Sequence, residues 1–333
     1  MDLKPLHSSI ELELQKQTSR LDTPNTKHFH EMLTYHMGWT GEGSGPEATG
    51  KRIRPLLVLL TTASTGDDWN KSLPAAAAVE LVHNFSLVHD DIQDNSPKRR
   101  GRDTVWTKWG APMAINVGDA LFTIASQAIV DLKENHFAET VVKASEILHD
   151  TCLELTRGQF MDMSYEERTD LTADDYWPMI AGKTASLLSA CCHLGALLGN
   201  ADEAKQDAYR SFGQYLGLAF QVQDDILGIW GNEAVTGKSA ASDLVEGKNS
   251  LPVLAGLSAN GQFAERWRKG PIKPDEVEKL SKLLAKEGGY EAAHDASSQM
   301  TELALLNLRE ADPQGEAGDA LFDLAEKLLK RKQ

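Results

Sequence analysis

The chain has 333 residues, enough for one large domain or two small ones with a sizeable core, and its 41% hydrophobic and 25% charged content is that of ordinary globular proteins. Forty-nine acidic residues against 34 basic ones leave a net charge of −15. That balance argues against nucleic acid or an anionic membrane surface as the main partner, since both are bound by a basic surplus. The three cysteines, Cys152, Cys191 and Cys192, have neither metal-ligand nor redox spacing, so they read as reduced core residues of a cytoplasmic protein. Met1 to Gln17 lacks a signal-type apolar core. No uninterrupted apolar run reaches the roughly 18 residues of a membrane span, so no integral membrane segment is expected.

Helical periodicity dominates in chain order, with no alternation convincing enough for a sheet. A first helix is predicted over 10–35, ending in the glycine-rich stretch Gly38 to Pro46, the clearest break in the chain. A second starts near Arg54-Pro55, with proline suited to a first turn. A third follows Leu73-Pro74 and runs through Ala75-Ala76-Ala77-Ala78 into Asp90-Asp91-Ile92-Gln93-Asp94. Pro97 and Gly101 end it and open the basic loop Lys98-Arg99-Arg100-Gly101-Arg102. Further helices are expected over 113–131, 137–163, 173–198 and 203–230, the last carrying Gln221-Val222-Gln223-Asp224-Asp225. A polar loop with Gly237, Lys238, Gly247 and Lys248 leads to a helix at Leu251-Pro252, and charge-rich amphipathic helices follow over 274–286, 288–310 and 314–331. With no internal repeat or interdomain linker, residues 1–333 read as a single all-α domain.

The two aspartate clusters carry the chemistry. Carboxylates on apolar helices are costly unless something positive sits among them. Asp90 and Asp94 lie one turn apart on one face and repel each other, so a cation is the natural compensation. His83, two turns before Asp90, shares nearly the same face. Gln221 and Asp224 lie along one face of the second helix, with Asp225 beside them. Hard divalent ions held by one or two carboxylates usually hold a phosphate as well. The local cations fit such an anion: Lys51-Arg52-Ile53-Arg54 opens one helix, Lys98-Arg99-Arg100 follows the first cluster, Gly182-Lys183-Thr184 interrupts another helix, and Lys238 and Lys248 flank the loop after the second cluster. Arginine suits bidentate phosphate binding and lysine supplies a point charge.

Taken in order, Gly50-Lys51-Arg52-Ile53-Arg54-Pro55, His83, Asp90-Asp91-xx-Asp94, Arg99-Arg100-Gly101, Gly182-Lys183-Thr184, Phe220-Gln221-xx-Asp224-Asp225 and Gly237-Lys238 resemble the trans-isoprenyl diphosphate synthases, over about residues 45–260. The resemblance implies a helical bundle of the isoprenoid-synthase type around a deep central cavity, a homodimer, and head-to-tail condensation of an allylic diphosphate with isopentenyl diphosphate. It implies a metal site at Asp90, Asp91, Asp94 and Asp224, with three Mg²⁺ ions beside bound diphosphate and Mn²⁺ as a substitute. Arg99, Lys183, Thr184, Gln221 and Lys238 would contact the allylic diphosphate; Lys51, Arg54, His83 and Arg100 would hold isopentenyl diphosphate. Asp90, Asp94, Lys183 and Asp224 are the residues expected to be catalytic.

One position departs from the pattern. Where a second pentad would end in a carboxylate stands Gly228, which puts a full second metal set in doubt; Asp243 is a candidate for the missing charge, and Gly228→Asp is expected to lower the Mg²⁺ requirement. Product length is read from Phe85 and Ser86, the fifth and fourth positions before Asp90. One aromatic floor with a small neighbour resembles the geranylgeranyl diphosphate type. A terpene cyclase on the same fold and a non-catalytic regulatory subunit are the alternatives; the apparent isopentenyl site weighs against the first and the intact first cluster against the second.

Overall fold

The computed structural model describes residues 1–166, 168–231 and 242–329. Its elements in order are α1 (Lys4–Thr18), α2 (Lys27–His36), α3 (Pro46–Thr49), α4 (Ile53–Ser64), α5 (Leu73–Gln93), β1 (Lys98–Arg99), β2 (Arg102–Asp103), α6 (Val105–Trp109), α7 (Ala111–Asp131), α8 (Ala138–Tyr165), α9 (Ala173–Ile180), α10 (Ser186–Leu198), α11 (Glu203–Trp230), α12 (Ser242–Glu246), α13 (Leu251–Ser258), α14 (Gln262–Trp267), α15 (Val277–Lys286), α16 (Gly289–Glu310) and α17 (Gly315–Leu329). The fold is all-α, and among the described residues β1 and β2 form the one strand pair, antiparallel with Lys98 opposite Asp103.

Three local expectations change. The helix predicted over 10–35 is α1 and α2, separated by a 3-10 turn at Ser19–Leu21 and the Asp22-Thr23-Pro24 segment. The proline ring fits no helix interior, which explains the break. The basic loop after Pro97 is a hairpin whose turn residues, Arg100 (φ 51°) and Gly101 (φ 75°), both have left-handed backbones. That geometry matches the twist of paired strands. The helix expected over 173–198 is interrupted by a π-helical turn at Ala181–Ala185, three residues after Pro178 inside α9. Such turns concentrate at functional positions.

The chain divides into two compact units: Met1–Asp150 with Ala190–Gln206 and Pro313–Ala320, and Thr151–Ser189 with Asp207–Asp312 and Leu321–Gln333. In the first unit α5 is the central element, packed mainly on α7 and also on α1 and α4. Its residues Ala75 to Val79, Leu81 and Val82 are buried. Gly118 of α7 lets the two helices meet, since a Cβ there would sit 2.2 Å from His89 Nε2. In the second unit Tyr176, Ile180, Val222, Ile226 and Leu254 form one buried cluster, and Val253, Phe263, Leu280 and Leu284 part of another.

The cysteines are free and buried, as expected. Burial pushes the Cys152 and Cys192 thiols up to about 12, which leaves them without reactive thiolate. Two helical stretches, Ala111–Glu134 and Ala173–Leu198, are long and apolar enough to cross a membrane by length and composition. Core helices of globular proteins pass the same test, and both stretches contribute buried core residues.

Candidate active site

In the first unit the motif around Gly50 builds a nest of guanidiniums. Gly50 has φ 79°, and a Cβ there would lie 2.8 Å from Arg100 Nη2. Arg100 passes over this glycine and donates to the Ala48 carbonyl at 2.7 Å. Arg52, itself left-handed (φ 50°), is buried and pairs with Glu11 at 2.6 Å and Glu80 at 2.9 Å, so it is a structural cation. Arg54, two residues on and in the first turn of α4, has no such partner: its Nε is buried without a hydrogen bond. Burial lowers its pKa against a partial offset from Glu80.

His83 and His36 lie among these charges. Burial first, then Arg54, Arg100 and Arg99, hold the His83 pKa well below the ordinary histidine value. Burial and the same arginine neighbourhood lower His36 to about 3. Both imidazoles are neutral at physiological pH. His36, Arg99, Arg100, Asp91 and Leu87 line one cleft, where His36 Nε2 is a second buried polar atom without a partner. Buried polar groups are normally satisfied, and an anion of several oxygens would satisfy these. Lys51 lies exposed beside them. The structure therefore brings Arg54, His83 and Arg100 together and adds His36, which stands on α2 far from any motif.

The first aspartate cluster occupies the last turn of α5, with Asp94 as its C-cap. A helix C-terminus carries partial negative charge and disfavours carboxylates, so the placement points to a cation. Asp91 differs from its neighbours. It is buried, and Arg99 binds its Oδ1 through Nε and Nη2, both at 2.8 Å. That pairing makes Asp91 the anchor of Arg99 in the metal-free protein. Asp90 is half-buried and Asp94 exposed. One turn earlier Phe85 meets Phe122 of α7 edge-on, with ring centroids 5.3 Å apart, and His89 at 5.7 Å. Ser86 is tied to its own helix by a hydrogen bond to the His83 carbonyl.

In the second unit Lys183 stands in the π-helical turn. Gly158 of α8 makes room for it: a Cβ there would lie 2.1 Å from Lys183 N. The Lys183 ammonium pairs with Asp162, one turn further along α8. Thr184 donates to Gln221 Oε1 at 2.7 Å, and Gln221 Nε2 donates to Asp225 Oδ1 at 3.0 Å. Asp225 is buried and is the hub of this network. It also accepts from Tyr176 Oη at 2.7 Å, Lys248 Nζ at 3.3 Å and Leu251 N at 3.4 Å. Burial and then Asp225 hold the Tyr176 hydroxyl well above the ordinary tyrosine value, so it stays a donor. Asp225 thus orients Gln221 and Lys248, while Asp224, its neighbour, is the half-buried carboxylate of the pair. Gly237 and Lys238 lie outside the described residues. Tyr176, Asp162 and Asp225's anchoring role were not singled out in the sequence; an acidic residue and a tyrosine inside helices carry no signal until their partners are known.

A family model of polyprenyl synthetases matches residues 45–284. The chain belongs to the polyprenyl synthetase family. This synthetase is 40% identical over 287 residues to a geranylgeranyl diphosphate synthase of Mycobacterium tuberculosis, covering 84% of this chain and 81% of that one. It is 36% identical over 336 residues to a (2E,6E)-farnesyl diphosphate synthase of Mycobacterium bovis, covering 98% and 91%. It also superimposes with a TM-score of 0.83, at 27% identity and over 99% and 97% of the chains, on a polyprenyl synthase from Caulobacter crescentus solved with calcium and isoprenyl diphosphate. The polyprenyl synthetase is a short-chain trans-prenyltransferase, and enzymes of this family use divalent metal ions.

Proposed function

We propose that the enzyme condenses isopentenyl diphosphate with an allylic diphosphate to give geranylgeranyl diphosphate. The observation that carries the reading is the cationic cluster of Arg54, Arg100 and neutral His83, in which Arg54 Nε and the neighbouring His36 Nε2 are buried without partners. Arg54, His83, Arg100 and the exposed Lys51 hold isopentenyl diphosphate, with bidentate guanidiniums fixing its orientation. Lys183, Thr184 and Gln221 hold the allylic diphosphate, joined by Arg99 and, outside the described residues, Lys238. Neutral His83 donates a hydrogen bond without adding another like charge to the arginines.

Asp90 and Asp94 from α5 and Asp224 from α11 are the residues that would hold Mg²⁺, three ions with diphosphate bound, or Mn²⁺ in its place. Among the described residues no three His, Cys, Asp or Glu side chains converge as a preformed cage. Mg²⁺ needs none, because it takes one or two carboxylates and completes its shell with phosphate oxygens and water. When bound, the metal neutralises charge on the departing diphosphate. Lys183 adds fixed positive charge at the same leaving group. The C–O bond of the allylic diphosphate breaks, the isopentenyl double bond attacks the resulting cation, and a proton leaves to the released diphosphate as the new double bond forms.

The product reading rests on the Phe85–Phe122 ring pair, one aromatic layer with small Ser86 beside Phe85. A second copy of the chain covers the apolar stripe on α8, where Val142, Leu153 and Phe160 recur at spacings of eleven and seven residues and are 56%, 51% and 71% exposed. Such a stripe is unusual for a surface facing water. The small-molecule diphosphates are the substrates, and the reduced cysteines fit action in the cytoplasm. Incubation with Mg²⁺, isopentenyl diphosphate and each of dimethylallyl, geranyl and farnesyl diphosphate, with products identified by mass, tests the reading. A C20 diphosphate supports it in full. A longer or shorter chain removes the floor assignment, and no condensation with any primer removes the function.

A further inference from the structure

We propose that Arg102 is a positioning residue for the isopentenyl diphosphate cleft: it clasps the end of α2 and the glycine-rich loop after it to the β1–β2 hairpin, and so holds Arg100 and His36 where a diphosphate meets both. In the sequence Arg102 is one more cation of a basic loop. In the structure its guanidinium is spent on backbone carbonyls. Nε donates to the Glu42 carbonyl at 3.0 Å, Nη1 to the Tyr35 carbonyl at 2.8 Å and Nη2 to the Thr40 carbonyl at 2.7 Å. The Tyr35 ring lies beneath, its centroid 4.0 Å from Cζ, within the range of a cation–π contact. Three carbonyls reach one cation because Gly41 (φ 82°) and Gly43 (φ 69°) turn the chain on either side of Glu42.

The hairpin needs such a clasp. Its strands are two residues each, and a two-stranded ribbon is at best marginally stable by itself. Arg99 and Arg102 are directly opposite across it, where like charges repel. Each finds its partner outside the hairpin: Arg99 in Asp91 of α5 at 2.8 Å, Arg102 in the carbonyls of α2 and its loop. Tyr35 Oη adds a hydrogen bond to the Asp103 carbonyl at 2.9 Å. Arg100 is the turn residue between the two anchored arginines, and His36 follows Tyr35 at the end of α2. Tyr35, His36, Arg99, Arg100 and Arg102 line the same cleft, so the clasp sets the distance between the hairpin donor and the helix donor. A lysine carries the charge but not the planar fork that serves three carbonyls at once. The inference rests on the reading of this cleft as the isopentenyl diphosphate site.

Arg102→Ala, Arg102→Lys, Arg100→Ala and the Arg100→Ala/Arg102→Ala double variant are compared with the wild type for KM of each diphosphate, kcat, melting temperature and calorimetric binding of metal-free inorganic pyrophosphate. Arg102→Ala should raise the isopentenyl diphosphate KM and weaken pyrophosphate binding about 10- to 100-fold, the cost of misplacing a binding group by about 1 Å. The allylic KM should stay near the wild-type value, because Arg99 keeps its own anchor on Asp91. Water can replace the lost donor at carbonyls this close to the surface, so the melting temperature should move little. In the Arg100→Ala background, Arg102→Ala should add little further, since residues that act through one another are non-additive. Arg102→Lys keeps the charge and the stem, so it reads the clasp even if Arg102→Ala fails to fold, and it should shift the isopentenyl diphosphate KM in the same direction. Wild-type isopentenyl diphosphate KM and pyrophosphate binding in either variant, an equal rise in both KM values, or full additivity with Arg100→Ala overturns the proposal. A wild type that makes no condensation product yet binds pyrophosphate overturns the enzymatic reading alone, and the calorimetry still decides the clasp; one that binds no pyrophosphate overturns both.

Discussion

Replacing Arg54 by methionine should make the protein more stable while removing its grip on isopentenyl diphosphate. Three features make the Arg54 cation costly in the unliganded protein. Burial lowers its pKa and its Nε has no partner. Glu80, the one carboxylate that offsets it, already pairs with Arg52 at 2.9 Å. Arg54 also sits in the first turn of α4, where the helix dipole disfavours positive charge. Substituting an apolar side chain of similar length for a poorly compensated buried charge is worth about 1–3 kcal/mol. With about 2.1 cal/mol/K of unfolding entropy per residue, 333 residues give about 0.7 kcal/mol/K, so about 2 kcal/mol raises the melting temperature by about 3 °C. Differential scanning calorimetry with and without isopentenyl diphosphate reads both halves. The wild type should gain about 2.7 kcal/mol at a hundredfold excess of ligand over Kd, and the variant should gain little at the same concentration. An Arg54→Met protein that melts at or below the wild-type temperature would show that the cation is compensated in the free protein and refute the reasoning.

Four further outcomes are expected. Phe85→Ala or Phe122→Ala should lengthen the product and Ser86→Phe should shorten it, read by mass spectrometry; an unchanged product removes the ring pair from the cavity floor. Asp90→Ala or Asp94→Ala should cut turnover by orders of magnitude at an unchanged or higher melting temperature, because each removes a carboxylate from the disfavoured end of α5; near-normal turnover would sink the metal assignment. His36 binds its proton less readily folded than unfolded, so its stabilising neutrality is complete above about pH 6.5 and is lost as pH falls toward about 3. His36→Gln should therefore flatten the acid-side fall in stability by as much as one proton's slope, about 1.4 kcal/mol per pH unit, and an unchanged slope would place the effect elsewhere. Phe160→Glu should shift the solution mass from dimer to monomer in light scattering, and a dimer that persists would exclude the α8 stripe as its interface.

Much of the molecule could be read without coordinates. The bounds of α11 match the expected 203–230, and α5, α7, α8 and α16 fall within a few residues of expectation, because helix periodicity, proline starts and glycine ends are properties of neighbouring residues. The ordered motifs were enough to place the chain among diphosphate synthases for the same reason: each is a short run with its own spacing. The 98–103 hairpin escaped, since two residues per strand are too few for alternation to show.

What required the tertiary structure was the distribution of roles among like residues. Arg52 and Arg54 are two apart in sequence, yet Arg52 is neutralised by Glu11 and Glu80 while Arg54 keeps an unsatisfied Nε. Asp90 and Asp91 are adjacent, yet Arg99 binds the second. Composition, periodicity and motif order are local and survive in a string of letters, so the sequence by itself determined the helical fold class and the chemistry. Whether a given charge is paired or left for a ligand depends on partners tens of residues away, brought close only when the helices within each unit pack, and that the tertiary structure alone decided.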